Sequence, residues 1–211
     1  EKSDASGVFL MLDATVNPAL PDGSDSRACL YLKNMEPNIV NGMAANLRLG
    51  FGPTAIARNH EIQLLPQWQM EMDVGEASGF TEVMAAAREQ KLPLSRLYRW
   101  SEAMVLPGGS ERIMLCTVPL IASDGTVFGV CGFEVSEMLF KLSYAPELEG
   151  YDHLLCLLSP LEENTLRLSG ALFAGNFAAG PAAPEHTQID ISSGSGGFYS
   201  YRQPEKESYA G

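Results

Sequence analysis

Apolar residues run almost unbroken from Gly7 to Val16, a strand-length pattern suited to an element covered on both faces. Pro18, Pro21 and Gly23 mark Asn17 to Arg27 as a loop, and a second strand is expected at Ala28 to Lys33. Asn34 to Gly79 shows no sustained period and reads as short helices and loops. Phe80, Val83, Met84 and Ala87 then fall at i, i+3, i+4 and i+7, which predicts an amphipathic helix over residues 80–90 that Pro93 stops.

Residues 96 to 135 carry the clearest pattern. Arg96 to Leu106 alternates, Pro107 to Ser110 is a turn, and Glu111 to Ile121 is a strand. Ser123-Asp124-Gly125-Thr126 is a tight turn, and Val127 to Val135 is another strand. If Leu106 pairs with Glu111, and Ser123 with Thr126, every side chain of this three-stranded meander acquires a face. One face holds Tyr98, Trp100, Glu102 and Met104 with Ile113, Leu115, Thr117, Phe128, Val130, Gly132 and Glu134; the other is apolar. Both must be covered, which makes the expected fold an α+β domain with an antiparallel sheet and helices over its faces.

Ser136 caps a short helical turn ending near Leu142. Ser143 to Gly150 reads as a boundary, which divides the chain into residues 1–145 and a partial β-rich module, 146–211. Strands are expected there at His153 to Leu158, Leu166 to Phe173, Thr187 to Ser192 and Phe198 to Tyr201. About 60 residues without a helix make a marginal core.

Composition narrows the partners. With 26 acidic and 14 basic side chains in 211 residues the net charge is −12. Nucleic acid and anionic membrane surfaces are poor partners for such a chain, because both are bound through clustered Lys and Arg. The longest apolar candidate, Ile113 to Ala122, is half a membrane span and contains Pro119. The opening Glu1-Lys2-Ser3-Asp4 has no initiator Met or signal pattern and reads as part of something longer.

Leu115 to Val135, Leu-Cys-Thr-Val-Pro-Leu-Ile-Ala-Ser-Asp-Gly-Thr-Val-Phe-Gly-Val-Cys-Gly-Phe-Glu-Val, resembles the closing hairpin of Cache domains, and Tyr98-Arg99-Trp100-Ser101 the aromatic strand before it. Cache domains are PAS-like extracytoplasmic sensor modules of bacterial membrane receptors. The resemblance covers about residues 7 to 142, and a partial second module would make a double-Cache arrangement. It implies a domain that binds a small molecule and passes occupancy across the membrane through flanking helices outside this sequence, with no cofactor and no enzyme activity. In the amino-acid-binding branch an acid at the end of the last strand accepts the ligand ammonium, the position of Glu134. The Arg-x-Trp-Tyr group of that branch is missing, since Trp68 stands in Gln67-Trp68-Gln69-Met70.

The face assignment points the same way from the residues alone. Trp100 falls beside Thr117, and Glu102 and Glu134 flank Leu115 about 10 Å apart. An aromatic floor with a few convergent polar groups is what a small-molecule pocket needs. The ligand-binding residues expected from the face assignment are Tyr98, Trp100, Glu102, Thr117 and Glu134, and the resemblance adds Trp68. A ligand amine over Trp100 or Tyr98, neutralised by Glu134, would fit. The competing reading is that Glu134 bonds to local protein groups and Trp100 is core, in a domain that binds no ligand and forms a homodimer or docks to a protein.

Catalytic signatures do not survive inspection. Gly50-Phe51-Gly52-Pro53-Thr54-Ala55 mimics a dinucleotide fingerprint with Glu71 at a suitable distance, but no parallel βαβ unit is recognisable. His60-Glu61 is followed at position 64 by Leu, so a zinc pair is missing, and His153 and His186 lie far along the chain. Ser195 lacks the glycine of a nucleophile elbow, and Glu71 with Asp73 reads as a solvated edge. Cys116 and Cys131 are expected diagonal on one face, as free thiols.

Overall fold

A computed structural model of the chain describes residues 5–19, 25–36, 46–75, 79–107, 109–144, 155–162, 165–175, 188–193 and 199–202. The apolar N-terminal run forms β1 (Gly7–Leu12), which pairs antiparallel with both β2 (Ser26–Asn34) and β8 (Val127–Ser136). The central position supplies neighbours on both sides, but the expected cover on both faces is corrected: Gly7 and Met11 are buried on one face, whereas Val8 on the other is 47% exposed and Leu10 and Leu12 are only half-buried. The β7–β8 hairpin joins Ile113–Ile121 to β8 in the expected register from Ile113 to Leu120, with Leu115 opposite Glu134 and Thr117 opposite Gly132. Beside the turn the expected Ser123–Thr126 pairing is displaced by one residue, Ile121 facing Val127 and the Ala122 amide donating to Thr126 O at 2.9 Å. Gly125 makes its turn possible with φ of 86°, a value that would strain any side chain, while Asp124 Oδ1 accepts the Thr126 amide at 2.9 Å.

Residues 34–79 correct the expectation of short helices and loops. They hold β3 (Leu47–Phe51), α1 (Thr54–Asn59), β4 (Gln63–Gln69) and β5 (Glu71–Asp73). The main sheet runs β4-β3-β2-β1-β8-β7-β6, with β5 on β2, where β6 is Arg99–Trp100. It is mixed α+β and mostly antiparallel, but β3 and β4 are parallel across α1. The period was illegible because β3 and β4 are interrupted. The pairing slips at Gly50 on both of its sides, Tyr31 facing Phe51 but Leu32 facing Leu49, and Leu49 facing Leu64 but Phe51 facing Gln69. A Cβ at Gly50 would lie 2.7 Å from the Tyr31 ring, so the bulge needs glycine there.

The helix over 80–90 forms as α2 (Phe80–Glu89) and buries Phe80, Val83, Met84 and Ala87. Gln90, at φ of 54°, ends it before Pro93 is reached. Its apolar stripe joins Met11, Cys29, Tyr31, Phe51, Met72 and Val130, the core on one side of the sheet. α3 (Glu137–Tyr144) starts where expected, with Ser136 Oγ accepting the Leu139 amide at 3.2 Å.

The opposite side is covered by later chain at its Met114 end, while Val8 and Phe133 on that side stay exposed. β9 (Leu155–Leu158) pairs with β12 (Leu172–Gly175), and Leu172 and Ala174 pack with Met114 and Phe140. Between them lie β10 (Leu161–Glu162) and β11 (Thr165–Arg167), which belong to a second sheet with β13 (Gln188–Ser193) and β14 (Tyr199–Arg202), in the order β10-β11-β13-β14. The boundary expected around residue 146 falls outside the described residues. Chain beyond it is nevertheless tied to chain before it, because Ala103 N donates to Gly170 O at 2.9 Å and Arg112 to Ser169 O at 2.6 Å.

Candidate functional site

The meander departs from its expected register in β6. Trp100 faces Cys116, whereas Met104 faces Ile113, so three residues on one strand oppose two on the other. Ser101 is the cause: its amide donates to Leu115 O and its Oγ accepts the Leu115 amide, both at 2.9 Å, so a side chain takes a place the backbone would have filled. A bulge of one residue moves a side chain to the other face. The strand expected over Arg96 to Leu106 is accordingly only Arg99–Trp100 plus the Met104 bridge, after a 3-10 turn at Leu94–Arg96.

The six expected site residues are thereby separated. Trp100 stacks edge-on against Phe133, with centroids 5.4 Å apart, and packs against Met114, Phe140 and Leu172 on the side away from α2. Glu102 faces solvent, 3.7 Å from Arg167 and against Gly170. Tyr98 is 56% exposed. Trp68 lies on β4, its Nε1 donating to Gly52 O at 2.9 Å. Thr117 and Glu134 share one face, as expected, and that face is the α2 side. Thr117 is 1% exposed, and its Oγ1 has no hydrogen-bond partner among the described residues. It faces a void of about 10 Å³ lined by Phe9, Met11, Phe80 and Leu115, room for about one water, so no ligand pocket opens beneath it.

Glu134 is 0% exposed and is held by protein groups. Ser6 Oγ donates to its Oε1 at 2.8 Å, Tyr31 Oη donates to Oε2, and Lys33 Nζ lies 2.9 Å from Oε1. The strand order builds this cluster. Gly7 of β1 sits opposite both Glu134 and Lys33, and its missing side chain leaves the space the two cross. A Cβ there would meet Glu134 Cβ and the Tyr31 ring at 3.3 Å. A buried carboxylate costs several kcal/mol unless paired and hydrogen-bonded, and here three donors meet it. Burial alone would lower the Lys33 pKa, but the charge and hydrogen bond of Glu134, then the charge of Glu111, outweigh it and hold the ammonium above its ordinary value. Burial, followed by the Glu134 charge, raises the Tyr31 phenol in turn.

Beyond this cluster the molecule opens. Lys33, its side chain 14% exposed, borders a cleft of about 300 Å³ between the bulged Gly50 and Leu65 to Gln67 region on one side and Leu106, Pro107 and Gly109 to Glu111 on the other. Its floor is Tyr31, Phe51 and Ile113, and its polar groups include Lys33, Gln67, Ser110 and Glu111. Glu111 Oε2 lies 3.2 Å from Lys33 Nζ. An apolar floor with a few fixed polar groups, at a double bulge in a sheet, can take up a small polar molecule. Glu134, expected to contact ligand, is instead the buried anchor of Lys33 and does not line the cleft, and the sequence reading missed Tyr31, Lys33 and Glu111. The available signal was Lys33 in phase with the buried Cys29 and Tyr31 on one strand face, which demands a carboxylate partner.

The other candidates resolve into structure. β3, α1 and β4 do form a parallel unit, correcting the expectation of none, yet α1 has six residues and Glu71 is engaged elsewhere. Burial would raise the Glu71 pKa, but hydrogen bonds from Ser26, Val16 and Thr15, and the Arg27 charge, hold it below the usual range. Glu71 thus ties Thr15 and Val16, after β1, to Ser26 at the start of β2. Cys116 and Cys131 lie diagonal in the register as expected, and all four cysteines are free thiols, Cys29 pushed up to about 12 by burial. No group of three His, Cys, Asp or Glu side chains among the described residues is placed to hold a metal ion. His153, His186 and Ser195 lie outside the described residues. No described helix is long and apolar enough to cross a membrane. Comparison with protein-family models, with curated proteins and with solved structures finds no match to the chain, so the functional reading rests on the geometry of the Lys33 cleft.

Proposed function

We propose that the protein is a small-molecule-sensing domain, PAS-like in the manner of Cache domains, from the extracytoplasmic part of a bacterial membrane receptor. The observation that carries this reading is the cleft of about 300 Å³ beside the Lys33 ammonium. Lys33 is anchored by a fully buried carboxylate, so its charge is fixed in position before any ligand arrives, which reduces the ordering cost of binding. Signalling follows from population shift: a ligand that favours one arrangement of the cleft moves the attached segments by its difference in affinity for the two arrangements. The ligand site moves from the Trp100 face to Tyr31, Lys33, Gln67, Ser110 and Glu111.

A thermal-shift screen of small acids, amino acids and amines tests the reading, with Ser110→Trp as a variant that fills the cleft without touching the buried ions. A compound that stabilises the wild type and loses its effect in Ser110→Trp supports it. A compound that stabilises both equally removes the cleft from the argument.

A second reading, a ligand-free homodimerisation module, draws on an apolar cavity of about 650 Å³ bordered by Trp100, Phe133, Leu139, Phe140 and Leu158. Sedimentation of the purified chain decides it, since a monomer at all concentrations excludes a stable homodimer.

A further inference from the structure

We infer that Glu111 holds the place of a ligand carboxylate on Lys33, and that a small acid entering the cleft exchanges with it and so releases the first turn of α3. The inference rests on the cleft being the ligand site.

Three observations carry it. The first is that the two carboxylates on Lys33 are unequal. Glu134 is fully buried and tied to Ser6 and Tyr31 as well, so it cannot leave. Glu111 comes from the loop ahead of β7, its side chain is 28% exposed, and its contact with Nζ is the longer, 3.2 Å against 2.9 Å. An ammonium has three protons to donate, and two are used among the described residues.

The second is the charge count. Lys33, Glu134 and Glu111 sum to −1. A ligand acid that merely added itself would place three carboxylates around one ammonium, whereas one that replaces Glu111 leaves the charge at Lys33 unchanged. A ligand amine is less well served, since Glu111 is engaged through both oxygens and has Lys33 beside it.

The third is the other end of Glu111. Its Oε1 accepts the Met138 amide at 3.0 Å, in the opening turn of α3. That turn is otherwise satisfied by Ser136 Oγ on Leu139 N and by Arg112 O on Glu137 N. One side chain therefore joins the cleft to the helix that follows the sheet, and a helix start is sensitive to the loss of such a partner.

Calorimetry with acetate, lactate and succinate, their amides, and ethylamine, combined with amide hydrogen exchange at Met138, tests the exchange. Glu111→Gln is the informative variant, because its amide oxygen can still accept from Met138 N but no longer competes as an anion for Lys33. The acids should bind the wild type, the amides should not, and acid binding should speed exchange at Met138. In Glu111→Gln the acids should bind about tenfold more tightly, the scale of one charge-assisted hydrogen bond, without changing Met138 exchange. Acid binding that is unchanged or weaker in Glu111→Gln, or binding of ethylamine in place of the acids, overturns the exchange while leaving the cleft as a ligand site. If none of the acids, amides or ethylamine binds either protein, the exchange falls and the sensing reading falls with it.

Discussion

The two sides of the main sheet bury comparable strands by different means. On the side away from α2, Trp100, Met114, Phe133, Phe140 and Leu172 meet as an apolar layer held by packing alone. On the α2 side an apolar core changes, toward Gly7, into Ser6, Tyr31, Lys33 and Glu134, where no member can change alone. The contrast teaches where function can reside: an apolar layer supplies cohesion, whereas a buried ion pair fixes a charge at the edge of open space. Removing one charge of such a pair costs more than the pair contributes, because the partner is left uncompensated.

Substitutions can break that contrast. Lys33→Met strands the Glu134 charge and should destabilise by about 3–5 kcal/mol in urea titration, with much of the loss regained in Lys33→Met/Glu134→Gln. Equal loss in the single and double variants would mean that the pair is ordinary packing. Leu172→Ala on the opposite side should cost about 3 kcal/mol, the cavity cost of a fully buried leucine. Because Leu172 packs on Met114 and Phe140, unfolding should remain one transition; a separate early transition would mark the chain after residue 146 as an independent unit. Ser101→Ala removes the hydroxyl that satisfies the Leu115 amide and should cost about 2 kcal/mol by chemical denaturation. A neutral result would show that the β6 bulge does not depend on Ser101.

The smallest effect is on pH. Lys33 has a raised pKa in the fold, so its contribution is complete below the ordinary lysine value of about 10.4 and declines as pH rises beyond it. Tyr31, also raised, acts in the same direction from its ordinary value of about 10. Stability should therefore fall with rising pH in the alkaline range, and Lys33→Met/Glu134→Gln should flatten the fall. Thermal melts from pH 8 upward measure it.

Legibility in the sequence followed locality. The β7–β8 pairing from Ile113 to Leu120 was legible because Asp124-Gly125 locates the chain reversal, although the turn closes on Ala122 and a slip at Ile121 restores the register. The helix over 80–90 and the Ser136 cap were likewise local. β3 and β4 escaped notice because the bulges at Gly50 break their alternation, and the slip at β6 because a single serine hydroxyl outweighed the pattern of eleven residues.

The sequence by itself determined an α+β chain, the α2 stripe, the central hairpin and the placement of Thr117 and Glu134 on one face, since each depends on spacing within a segment. Only the tertiary structure decided what Glu134 is for. Its partners lie 128, 103 and 101 residues away, at Ser6, Tyr31 and Lys33, and they meet because β1 enters between β2 and β8. Periodicity records which way a side chain faces, but the identity of the charge it faces is set by strand order, which no local pattern contains.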